Sequence, residues 1–354
     1  MNITYQSNNF ILEDTSLKID KSKKNILILG KAQTDKKRLE IMNPKNDSEA
    51  ITYYGESELY NAYKEAYKIT KDNNIFTLNT FHTTDVIEAI DLILQYDFSY
   101  IVPTSFFISD FFINPVTELK TSYLAFYLSS LAKVNSFSTI ITTDRHSSLY
   151  EDIDDYIYEM RDIVEDLCAT NSMRFDEYGN NAIFVLNNFE GIEFSNVVLA
   201  AIMSQVKYAE HPMQLDEFEY RTIYDFDYND IMSKDITYFK HNLYEKNVTI
   251  DNFYNLRTTF DEYKIVMIDE TIKELYRRID LDEFKGRLYT PYIKLMIETK
   301  LKKYLEDATG SLIKDYKIKK IEFIKTDKSS GYINIELFVM PYGSVEYLKV
   351  VMGV

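Results

Sequence analysis

Tryptophan is missing from this chain of 354 residues, cysteine occurs once, and glycine and proline number only 9 and 6. A single cysteine excludes an internal disulfide framework. Nor can it complete a zinc site, because His82, His146, His211 and His241 are scattered without metal-ligand spacing. Cys168 lies in the helical run Tyr156 to Thr170, one turn after Val164 on the same apolar stripe, where an inert buried thiol is expected. No stretch approaches the roughly 18 apolar residues of a membrane span. Met1 to Phe10 lacks the basic start and apolar core of a signal peptide, so the chain is expected to work where it is made or to be released by lysis. Cationic residues are also short. With 40 Lys and Arg against 56 Asp and Glu, the net charge of −16 argues against a nucleic-acid partner, since phosphate neutralisation needs an excess of cations on one face.

Catalytic patterns are equally scarce. Gly30 ends an apolar run, but Lys31-Ala32-Gln33-Thr34 supplies neither the later glycines of a dinucleotide fingerprint nor a phosphate loop. Asp225, Asp227 and Asn229 copy the opening of a calcium loop, yet Asp230 stands where Gly is needed and Ile236 where a bidentate Glu is needed. No serine sits in a nucleophile elbow. Neighbours such as Asp154 and Asp155, or Asp280 and Asp282, arise by chance among 56 carboxylates. The expectation is no catalytic residue, no cofactor and no metal.

What is abundant is aromatic: 30 Tyr and 22 Phe. Such rings suit extensive protein contacts, although an AT-rich genome enriches the same residues. With 45% hydrophobic and 27% charged residues, a chain of this length can bury a large core in two or so compact units. Asn25 to Gly30 reads as a short buried strand. Strand and helix patterns then alternate. Strands are expected at Ile75–Asn79, Ser99–Val102, Phe137–Thr142 and Asn181–Asn187. Helices are expected after the cap Ser57, at Thr84–Tyr96, at Val116–Lys133 and at Leu149–Thr170. That order predicts an α/β fold with a wound, largely parallel sheet covered on both faces. Helical periods continue at Asn196–Tyr208, Ile231–Tyr244 and Phe260–Ile279, and from the Thr290-Pro291 start to a stop at Gly310.

The C-terminal region has a different pattern. Tyr316 to Ile324 carries Ile318, Ile321 and Phe323, and Gly331 to Met340 places Ile333, Ile335, Leu337 and Val339 on one face. After the turn Pro341 to Ser344, Val345 to Met352 forms a third run containing Val345, Tyr347, Leu348, Val350 and Val351. A terminal strand of this kind either closes its own sheet or leaves an edge for another molecule. At the other end, Phe10, Leu12, Leu17 and Ile19 supply two short extended segments in an otherwise polar arm. Charge is segregated too. Lys285 to Lys328 holds 12 Lys or Arg against 6 Asp or Glu, leaving 28 against 50 in the rest of the chain. This is either a solvated face or a docking surface for an acidic partner, with Lys294, Lys302, Lys303, Lys317, Lys319 and Lys320 as candidates.

The order of these parts resembles the contractile tail sheath proteins of phages and phage-tail-like particles. The resemblance is carried by Ile26 to Ala32, by Asn43-Pro44 ahead of Tyr54 to Leu59, by Ser195 to Ala201, by Leu256-Arg257-Thr258 before the helix Ile265 to Arg278, and by the final alternating strands. It implies a compact sheath, such as that of a diffocin-like bacteriocin, built as a linking arm (1–24), an α/β body (25–190), a helical segment with the C-terminal sheath domain (191–340) and a linking strand (341–354). It further implies a small C-terminal α+β domain completed by strands from neighbouring subunits. The apolar residues named above in both arms and both receiving strands would then be inter-subunit, and the lysines would face the tube. The implied partners are other copies in a six-fold helical sheath, an inner tail tube protein, and baseplate and terminator proteins, without nucleic acid or membrane insertion. Assembly would occur in the bacterial cytoplasm, with release by lysis. A baseplate or adaptor protein and an α/β enzyme with an unrecognised site are the alternatives.

Overall fold

The computed structural model describes residues 23–71, 74–82, 84–93, 95, 96, 98–104, 107, 110–113, 120–122, 138–144, 149, 151–164, 181–188, 194–205, 236–241, 248–251, 270, 274, 275, 278, 279, 281–284, 286–325 and 331–342. Their elements follow in chain order as β1 (Ile26–Gly30), β2 (Ile41–Met42), α1 (Asp47–Tyr54), α2 (Glu58–Thr70), β3 (Ile75–Asn79), α3 (Asp85–Ile93), β4 (Tyr100–Pro103), β5 (Phe111–Ile113), β6 (Lys120–Ser122) and β7 (Thr139–Thr142). Then come the helical stretch 153–164 (α4), β8 (Asn181–Val185), α5 (Ser195–Gln205), β9 (Ile236–His241), β10 (Val248–Asp251), α6 (Pro291–Ala308), β11 (Ile313–Lys325) and β12 (Gly331–Pro341).

Eight strands form one mixed sheet in the order β10-β9-β8-β7-β4-β1-β3-β2. Its six inner strands run parallel, and each edge strand is antiparallel to its neighbour. Every residue of β1, β3, β4 and β7 is buried, which is why these strands read as continuous apolar runs rather than alternating ones. Successive side chains still divide between two cores. Ile26, Ile28, Tyr100, Val102 and Ile141 pack under α1, α2 and α5, while Leu27, Leu29, Ile101 and Ile140 pack under α3 and α4. Both faces are therefore covered, as the alternating pattern predicts. Burying tyrosines requires partners for their hydroxyls, and the body supplies them: Tyr63 donates to the Pro44 carbonyl at 3.1 Å, and the Tyr54 and Thr77 hydroxyls meet at 2.5 Å.

The body runs past the boundary expected at 190, because α5 lies in its core and β9 and β10 extend its sheet. The helix expected over Ile231–Tyr244 is corrected in its described part: residues 236–241 are β9. Ile236 and Tyr238 face one core and Phe239 the other, and a strand buried on both faces gives an apolar spacing that also satisfies a helical period. β10 and α1 were not foreseen. α1 carries its own signals, since the Asn46 side chain accepts from Glu49 N at 2.9 Å, and the Glu49 carboxylate accepts from Lys45 N at 2.7 Å. The helix expected at Val116–Lys133 is corrected in its described part, because Lys120–Ser122 is β6, paired antiparallel with β5; Cys168 and the calcium-like Asp225 to Asn229 lie outside the described residues.

A second, smaller core belongs to α6, β11 and β12. Ile297, Leu301, Leu305 and Ala308 of α6 pack with Leu312, Ile313 and Ile321, joined by Leu275 and Phe284. The segment leading into it is anchored on the body. Glu270 is buried and accepts hydrogen bonds from the Tyr100 hydroxyl at 2.8 Å and the Thr139 hydroxyl at 3.1 Å, while Leu275 already belongs to the second core.

Candidate assembly interface

In a wound sheet the place to look for a ligand is the crevice at the carboxyl ends of the strands where the strand order reverses, here beside β1 and β4. The described part of that crevice is packed by the protein's own side chains. A Cβ on Gly30 would lie 2.4 Å from Thr104 Oγ1 and 3.3 Å from the Leu59 side chain, so glycine serves close packing there. Thr104 donates through its N–H and its hydroxyl to the Leu29 carbonyl at 2.8 and 2.9 Å. Asn196 donates to the Pro103 and Ile141 carbonyls at 2.7 and 3.3 Å, and Ser195 donates to Asn187 Oδ1 through N–H and hydroxyl. These side chains are fully buried or nearly so. The described strand ends are stitched together by these buried side chains. Among the described residues there is also no group of three His, Cys, Asp or Glu able to hold a metal, and no helix long and apolar enough to cross a membrane.

The open chemistry lies in the second unit. Thr290 Oγ1 accepts from Ile293 N at 3.2 Å and Pro291 occupies the first turn, so α6 begins where its sequence signals place it. Gly310, at φ 88°, follows its end and the chain turns directly into β11. β11 and β12 pair antiparallel over eleven Cα partners, with irregularities between Ile313 and Asp315 and between Ile318 and Lys320. Ile318, Ile333, Ile335, Leu337 and Val339 pack toward α6. Phe323 stacks on Tyr289 at 5.3 Å, and its ring lies over Gly331, where a Cβ would come within 2.4 Å of it.

Two strands are all this sheet has among the described residues, and the face turned away from α6 exposes Tyr332, Phe338 and Met340 at 55, 44 and 40%. A lone two-stranded hairpin is marginal in water, and long unpaired edges invite a further strand. Two hollows flank it. One, of about 390 Å³, is apolar and lined by Phe284, Tyr289, Ile293, Phe323, Tyr332 and Ile333, among others. The other, of about 460 Å³, lies along β11 and brings together Lys294, Lys302, Lys317, Lys319 and Lys320, with Glu298 the one carboxylate in its lining.

Five of the six lysines singled out in the sequence thus line one groove, and Lys303 does not. Within it, Lys302 bridges Glu298 at 2.9 Å and Lys320 bridges Glu322 at 2.7 Å. These contacts hold Glu298 and Glu322 below the usual carboxylate range and raise both lysines. Lys294, Lys317 and Lys319 make no ion pair among the described residues, so the groove keeps a cationic excess. The arm residues Phe10, Leu12, Leu17, Ile19, Val345, Tyr347, Leu348, Val350 and Val351 lie outside the described residues.

No family model matches the sequence, and no curated protein matches it. Solved structures do. A chain of the anti-feeding prophage baseplate superposes with a TM-score of 0.64 at 9% identity, over 99% of this chain and 100% of that one. The anti-feeding prophage helical sheath in its contracted state gives 0.62 at 9% identity over 99% of each chain. The chain has the fold of a contractile tail sheath protein. A sheath tail protein from Listeria innocua agrees, with a TM-score of 0.57 at 8% identity over 89% of this chain and 94% of that one. The sheath fold spans both units, since the match covers nearly the whole of each chain. At this identity most side chains differ, and what the chains share is the fold.

Proposed function

We propose that the chain is the structural subunit of a contractile tail sheath that polymerises around an inner tube and shortens to drive the tube through a target envelope. The observation that carries this reading is the terminal sheet, which among the described residues has two strands and exposes Tyr332, Phe338 and Met340 on one face beside a lysine-lined groove. The shared fold with sheath structures supports it. Strands donated by other copies, about Phe10 to Asp20 and Val345 to Met352, would complete the sheet by β-augmentation. Each added strand makes about five backbone hydrogen bonds at a net ~0.5–1.5 kcal/mol apiece, besides burying its apolar side chains. Holding each subunit by several neighbours at once gives the lattice avidity and lets bodies rotate while links persist. Contraction then needs no nucleotide, only release of an assembled state held by kinetic barriers.

Tube, baseplate and terminator proteins are the partners this reading calls for, with assembly in the bacterial cytoplasm before release by lysis as part of a phage tail or bacteriocin particle. Lys302 and Lys303, exposed on α6, would face an acidic tube. Changing both to Glu is expected to reduce sheath assembly on tubes at least tenfold, read by electron microscopy of co-expressed particles. Deleting residues 345–354 tests the central reading. A folded protein that no longer forms cylinders supports it, and normal cylinders from the truncated chain would remove it.

A further inference from the structure

Between the start of α6 and the start of β12, the apolar hollow of about 390 Å³ has a construction of its own. Its floor is core, since Phe284 and Ile297 are buried and Ile293 and Ile333 pack against them. Its wall is a flat aromatic pair, Tyr289 stacked on Phe323 at 5.3 Å with 20° between the ring planes. Its rim carries a cation. The Arg287 N–H donates to the Phe284 carbonyl at 3.2 Å, and Gly286, at φ 77°, takes the left-handed position of that turn. The turn brings the exposed Arg287 guanidinium back to 5.8 Å from the centre of the Phe284 ring, at the edge of the hollow. Lys300 lies 5.9 Å from the same ring but is tied to Glu283 at 2.7 Å, whereas Arg287 pairs with no carboxylate among the described residues.

We propose that this hollow is a binding site for a free small aromatic carboxylate. Its volume falls within the ~300–1,000 Å³ usual for small-ligand sites, and its apolar lining with one convergent charged group is the usual make-up of such a site. A ring seated on Ile297 and Ile333 leaves water and stacks beside Tyr289, while its carboxylate takes two parallel N–H groups of the guanidinium fork. Both ends are selected. A neutral ring forfeits the charge-assisted pair, and a small polar anion forfeits the apolar burial. The groove beside β11 offers ammonium groups rather than a planar fork, so it does not make the same match. Because the lining comes from the turn before α6, from α6 itself and from both strands of the hairpin, a bound ligand ties these parts together. It stabilises the terminal unit and leaves the body as it was.

Titration of the dissociated full-length protein with 2-naphthoate tests the assignment, and because the chain has no tryptophan the naphthyl emission is read without that background. Saturable binding is expected, with hydrogen exchange slowed in α6, β11 and β12 and unchanged in β1, β4 and β7. Arg287→Gln, a change at an exposed side chain, should weaken 2-naphthoate at least about tenfold and the uncharged 2-naphthamide less than about twofold. Tyr289→Leu should weaken both probes alike. The absence of saturable binding, equal affinity changes for the two probes in Arg287→Gln, or protection appearing in the body would each overturn the proposal. Loss of binding in Lys317→Gln with Lys319→Gln would overturn it too, by moving the ligand to the lysine groove. None of these outcomes bears on whether the chain forms cylinders, so the sheath reading stands or falls separately.

Discussion

The body and the terminal unit use the same ingredients, apolar strands and amphipathic helices, to opposite ends. In the body, eight strands are sandwiched between two cores, and even the carboxyl ends of its strands are tied by Asn196, Thr104 and Ser195. In the terminal unit, one helix covers one face of two long strands, and Tyr332, Phe338 and Met340 remain exposed on the other. The first arrangement is finished by folding. The second, among the described residues, keeps one face exposed.

The sharpest way to break that comparison is to truncate one phenylalanine in each region. Phe184 is fully buried between helices and sheet, so Phe184→Ala should lower stability by ~3–5 kcal/mol in equilibrium urea unfolding of dissociated protein. Phe338→Ala, at a residue 44% exposed, should change the same measurement by no more than about 0.5 kcal/mol yet reduce cylinder yield. Equal effects in the two regions would erase the distinction.

A smaller effect sharpens it. In Gly331→Ala the new methyl meets the Ile324 carbonyl and the Phe323 ring at 2.4 Å, an overpacking that costs ~1–3 kcal/mol. Hydrogen exchange should accelerate in β11 and β12 while β1, β4 and β7 keep their protection. Loss of protection throughout would mean that the two units unfold as one.

The smallest effect is the pH dependence that one carboxyl contributes to the body. A hydrogen bond from the Tyr53 hydroxyl, then one from the Lys45 backbone, holds the Glu49 carboxyl below its ordinary value. Its folded pKa is depressed, so its contribution is present above the ordinary Glu value of about 4.3 and lost as the pH falls through the folded one. In this solvent-screened setting Glu49→Gln should remove at most about 1 kcal/mol at pH 7 and nothing near pH 2, measured by urea midpoints.

Much of this division was legible in the residues. Ile26 to Gly30 reads as a buried strand because unbroken β-branched and leucine side chains suit only a sheet covered twice, and Thr290-Pro291 marks the start of α6 through cap chemistry that is local. The alternation of Ile333, Ile335, Leu337 and Val339 shows a sheet with one covered face. β9 was misread because periodicity cannot distinguish a helix from a strand buried on both sides when the run is short. The lysine groove was half legible. Composition shows a basic region, but only the pairing of β11 beside α6 brings Lys294 and Lys302 to Lys317, Lys319 and Lys320 and leaves Lys303 outside. The ties between the strand ends were not legible, because these hydrogen bonds join residues far apart in the chain, such as Asn196 with Pro103.

The most direct test of the account is a cryo-EM reconstruction of the purified full-length protein under assembly conditions. The account predicts hollow helical cylinders in which the hairpin of β11 and β12 in every subunit is flanked by strands belonging to other subunits. Discrete particles in which both chain ends pair with their own hairpin would contradict it.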